Sequence, residues 1–69
     1  MKPNYAEYIQ DVVITLHMNL KELQERKNLA ESQELDHIEA KLLAYHEVLA
    51  ILRSSADELG IPRGEIGLL

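Results

Sequence analysis

The 69-residue chain holds three histidines, twelve Asp or Glu and no cysteine. Any metal or acid–base chemistry would therefore come from His and carboxylate pairs, since thiolate ligands, disulfides and a cysteine nucleophile are excluded together. Glu34-x-x-His37 has the i, i+3 spacing with which helical bundles hold a di-iron centre. Such a centre needs the motif twice and two further glutamates, all facing inward, and here it occurs once. His46 lies seven residues from Glu39, His17 stands apart, and no two histidines are four residues apart, as a helical zinc pair requires. Glu34 reads as a first-turn carboxylate and His37 as a surface residue. The expectation is no metal, no cofactor and no catalytic residue.

The elements that carry these residues are helical. From Leu35 to Leu59 apolar residues recur at Leu35, Ile38, Leu42, Tyr45, Leu49, Leu52, Ala56 and Leu59, a 3-4-3-4-3-4-3 spacing. That is a heptad stripe on one side of an α-helix, the seam with which one helix packs on another. An earlier stretch opens at Asn4, where Asn4 and Glu7 form an N-x-x-E capping pattern. It carries Ile9, Leu16 and Leu23 at one heptad position and Tyr5, Val12 and Asn19 at the other. Asn19 would either fix register on the seam or sit at its edge with Leu20 turned inward.

Neither glycine nor proline interrupts the chain between Asn4 and Leu59, which would allow one helix of about 84 Å. The phase of the stripe argues otherwise. Stepping by sevens from Ile9, Leu16 and Leu23 leads to Ala30 and His37, not to Leu35 and Leu42, so the seams are offset between Lys27 and Glu34. Asn28 with Glu31, or Ser32 followed by Glu34, would start a second helix there, and a turn near Asn28 is expected. A stutter in a long coiled coil is the alternative. Gly60 and Pro62 end the second helix, and residues 60–69 read as a short irregular tail. Its Ile61, Ile66, Leu68 and Leu69 are too apolar for a solvated end, and are expected to fold back on the hairpin or meet a partner.

The predicted fold is all-α: one domain over 1–69, an antiparallel two-helix hairpin (about 5–27 and 32–59) and a tail. Leu43, Ala44, Val48, Ala50 and Ile51 lie beside the second stripe, so that helix is apolar on more sides than one partner helix covers. A chain this short is marginal as a monomer. Two hairpins pairing through the second surface would make a four-helix bundle, so a homodimer is expected. The residues expected at its core and interface are Ile9, Val12, Leu16, Leu23, Leu35, Ile38, Leu42, Tyr45, Val48, Leu49, Ile51, Leu52 and Leu59.

Composition narrows the partners. A net charge of −5 with scattered Lys and Arg argues against a nucleic-acid backbone, and no Trp or Phe is present to stack on bases. The RNA-binding hairpin dimers that control plasmid copy number share the architecture, but no basic face is visible here. No apolar run spans a membrane, and no signal-like segment follows Met1-Lys2-Pro3. A cytoplasmic chain that associates with itself and with another protein, in a regulatory or adaptor role, is the expectation.

Ser32-Gln33-Glu34-Leu35-Asp36 resembles a known signature. The small phosphatases that regulate sporulation in spore-forming bacteria carry S-Q-E-L-D at the start of the second helix of a two-helix hairpin. They dephosphorylate aspartyl-phosphate response regulators. Ile38 matches the apolar residue two beyond the Asp, while Glu39 replaces a second apolar residue. The resemblance implies that Ser32, Gln33 and Asp36 meet the regulator, with Gln33 and Asp36 facing its active site. Separately, Ala56-Asp57-Glu58-Leu59-Gly60-Ile61 with Ile66 resembles the turn of a DNA-binding helix-turn-helix. Its recognition helix, from Pro62 onward, would hold two glycines and a single Arg. The stripe and the helix cap already account for Ala56, Leu59 and Gly60.

Overall fold

The computed structural model describes residues 4–68. Helix α1, Tyr5–Leu29, and helix α2, Ser32–Glu58, pack against each other as a hairpin, followed by a 3₁₀ turn at Arg63–Ile66. The expected all-helical hairpin is what forms. Leu69, the end of the expected apolar tail, lies outside the described residues, as do residues 1–3.

Helix α1 starts as its cap pattern requires. Asn4 is extended, and its Oδ1 accepts the Glu7 amide at 3.0 Å. Arg26 and Lys27 sit in the last turn, where cations favour the helix dipole. The reversal comes later than Asn28. Helix α1 runs to Leu29, and the connection is Ala30 and Glu31, both extended. The gain is Ala30 itself, which packs on Leu23, Ile38 and Leu42.

Neither expected cap starts α2. Its N-cap is Glu31, without a side-chain cap bond, and the Glu31 carbonyl takes the amides of Glu34 and Leu35 at 2.9 and 3.0 Å. Ser32 is already the first helical residue, one position too far along for its hydroxyl to cap. The end is exposed, which leaves the remaining first-turn amides open to solvent.

Helix α2 stops as Gly60 and Pro62 require. Gly60 has φ +70°, its amide bonds the Asp57 carbonyl at 3.2 Å, and the Ile61 amide bonds the Ala56 carbonyl at 2.8 Å. That pair of bonds is a Schellman motif.

The tail is more ordered than an irregular segment. Its 3₁₀ turn ends at Gly67, φ +81°, and the Leu68 amide bonds the Arg63 carbonyl at 2.9 Å. This turn folds Ile66 and Leu68 onto the hairpin. They close a cluster with Val13, Leu49 and Ala56, in which Val13 and Leu68 are fully buried and Leu49 is 2% exposed. A second cluster near the turn holds Leu23, Ile38 and Leu42. The two are bridged by Leu20, which packs against both.

Candidate interaction surface

Position around each helix decides which residues the hairpin hides. Ile9, Val13, Leu16, Leu20 and Leu23 turn toward α2, a 4-3-4-3 spacing. Val13 therefore takes the buried place, and Val12 is half-buried at the edge. Asn19, two turns on from Val12 and also half-buried, donates through Nδ2 to the Tyr45 hydroxyl at 3.2 Å across the hairpin. Leu20 does turn inward, and Asn19 still finds a partner on the other helix. On α2, Ile38, Leu42, Leu49 and Ala56 are buried, and Leu35, Tyr45 and Leu52 are half-buried. Leu59 falls just past the helix and is 72% exposed.

The tail covers one side of this hairpin. The Gln10 side-chain amide donates to the Glu65 carbonyl at 2.6 Å, and a Cβ at Gly67 would stand 3.4 Å from Val13. Arg63 straps the turn to the end of α2 through both carboxylate oxygens of Asp57, with Nε to Oδ1 at 3.0 Å. That hydrogen bond, with the guanidinium charge, holds the Asp57 carboxyl below its ordinary range and raises Arg63.

The other side is open along the helices, with Ile61, Glu65 and Ile66 of the tail reaching its rim at the free end. Each residue turns a helix by about 100°, so Tyr8 lies roughly 160° around α1 from Gln10. There Tyr8 is 68% exposed, and it lines an apolar groove with Tyr5, Ile9, Leu52, Leu59, Ile61 and Ile66. Val48 and Ile51 are exposed farther along α2, the latter 66%, and Ile51 lines a hollow that shares Ser55 with the groove. A separate hollow toward the turn is lined by Asn19, Glu22, Arg26, Lys41, Ala44 and Tyr45. The open face is thus apolar in the middle, apolar with Glu65 at its rim at the free end, and carries Glu22, Arg26 and Lys41 near the turn. Ile14 and Met18, four residues apart on α1, and Leu43 on α2 are also exposed, and none of them lines the groove or the hollow near the turn.

Ser32, Gln33 and Asp36 lie exposed on the first turns of α2, with Leu35 half-buried behind them. Glu34 and His37 are exposed as well. Among the described residues no three His, Asp or Glu side chains come together as metal ligands would, and no helix is long and apolar enough to cross a membrane. The segment that would be a recognition helix is the four-residue 3₁₀ turn, with Ile66 buried against the hairpin.

Val13 is among the helically spaced apolar residues of the first stretch, but heptad spacing put Val12 on the seam in its place and gave Gln10 no role. The 4-3-4-3 spacing from Ile9 to Leu23 marks Val13, whereas nothing local marks Gln10, whose partner is 55 residues away. No protein-family model matches the chain, and the searches of curated proteins and of solved structures found no match to it.

Proposed function

We propose that this chain is a small non-enzymatic association module, which homodimerises into a four-helix bundle and, so assembled, binds another protein in a regulatory or adaptor role. The observation that supports this is the open face. Tyr8, Val48, Ile51 and Leu59 are exposed beside half-buried Val12, Tyr45 and Leu52, while the opposite face has its own cover in the tail. A contiguous apolar face on so small a chain marks an association surface, and a two-helix layer covered on one side needs a second layer on the other. We infer a cytoplasmic setting, because a cysteine-free chain asks nothing of an oxidising compartment. The test is the solution mass over a concentration series. A species of twice 7.9 kDa that persists at low micromolar concentration is expected; a monomer at tens of micromolar would remove the homodimer.

A second reading has one observation in its favour. Ser32, Gln33 and Asp36 are exposed at the start of the second helix of a hairpin, the position from which the sporulation-regulating phosphatases use S-Q-E-L-D. Under this reading the chain promotes phosphate release from aspartyl-phosphate response regulators. It predicts release that is lost on Asp36→Ala with the fold intact. No release from any regulator tested, or release that survives Asp36→Ala, would discard it.

A further inference from the structure

The open face is complementary to itself when it is turned end for end. Near the hairpin turn it carries Arg26 and Lys41, with Glu22 in the same hollow. At the free end it carries Glu65, in the groove with Tyr8 and Leu59, and Glu58, in the adjoining hollow with Ile51 and Ser55. Among the described residues the ion pairs are Lys27 with Glu39 and Arg63 with Asp57, so these five charges have no ion-pair partner among the described residues. Between the two charged ends lie Val48, Ile51, Leu52 and Tyr45.

From this we propose that the occupant of the open face is a second copy of this chain laid with its turn at the opposite end. The two-fold axis then crosses the helices near Val48 and Ile51. Such an axis sets α2 against the partner's α2 running the other way, so that the Lys41 end of each copy meets the Leu59 end of the other. In a two-fold interface a residue i of one copy meets a residue j of the other, and j meets i in turn, so the two ends of the face become each other's counterparts when the copies lie end for end. End-for-end pairing makes those counterparts opposite in charge. Pairing with both turns at one end instead gathers Glu58 and Glu65 of both copies at the free end, where like charges repel. The pairing rests on the homodimer proposed above and adds its direction.

The absence of cysteine makes the test direct. Lys41→Cys and Leu59→Cys, both at exposed positions, are made in separate full-length chains, mixed and oxidised, and the products are weighed by mass spectrometry. End-for-end dimers give the mixed disulfide. With both turns at one end, the two positions are about 27 Å apart along the helix axis and no such bond forms. In parallel, Lys41→Glu should raise the dimer dissociation constant roughly three- to tenfold at low salt, the contact occurring twice in the dimer. Adding Glu58→Lys to the same chain should restore it. Dimers that give no mixed disulfide, or a Lys41→Glu loss that Glu58→Lys leaves in place, overturn the pairing while the homodimer stands. A chain monomeric at every concentration overturns both.

Discussion

Single residues decide whether this small fold holds. Leu49 is 2% exposed at the junction of both helices and the tail, so Leu49→Ala leaves a cavity that three elements would have to collapse to fill. A loss of roughly 2–5 kcal/mol is expected from a urea melt. Gly60 is a different case. A Cβ there meets nothing within 4 Å, but φ is +70°, so Gly60→Ala should cost about 1 kcal/mol through backbone strain alone. Asp57 gives a pH dependence. Its carboxyl is held below the ordinary range by the bond from Arg63, and a depressed folded-state value means the contribution is present at neutral pH. It disappears as pH falls through the carboxylate range. Both groups are exposed, so the effect is small. The stability of Asp57→Asn, followed by denaturant melts, should be less acid-sensitive than that of the parent.

At the scale of elements, the tail does the work of a third layer. Two helices bury one stripe each, and the 3₁₀ turn brings Ile66 and Leu68 against Val13 and Leu49 where the helices alone would leave them open. Replacing both, as Ile66→Ala with Leu68→Ala, should lower the urea midpoint more than any pair of exposed apolar substitutions. It should also raise protease sensitivity from residue 60 onward; an unchanged midpoint would mean the tail adds nothing to the hairpin. The reversal at Ala30 and Glu31 shows the same logic. The chain gives up a polar side-chain cap on α2 to place Ala30 on the Leu23 cluster.

For the molecule as a whole, size and one-sided cover are the governing facts. A 69-residue chain buries only about 60% of the surface its unfolded form exposes, and its open face adds nothing to stability until something covers it. Melting temperature should therefore rise with protein concentration, since association stabilises the folded form by mass action. Ile51→Glu, placed in the middle of that face, should abolish the concentration dependence and leave helix content unchanged by circular dichroism. A melting temperature independent of concentration in the parent chain would mean the face is not self-associating.

The helices, their approximate ends and the hairpin were legible in the sequence because each rests on local signals: apolar spacing, the Asn4 cap, the Gly60–Pro62 stop, and the phase offset before Leu35. Tertiary structure decided what local spacing leaves free. Val12 and Val13 both fit a helical stripe, and burial went to Val13 because the tail and Leu49 meet there. Asn28 and Ser32 each fitted a helix start, and neither caps α2: the N-cap is Glu31, with Ala30 before it packed on the Leu23 cluster. The tail's apolar residues announced a contact, but which face they would take depended on Gln10, Gly67 and Arg63 meeting partners on α1, α2 and the 3₁₀ turn itself. Periodicity is a property of one helix by itself. The choice of which side stays open is made only when the elements meet, and in this chain that choice creates the surface on which its function is proposed to depend.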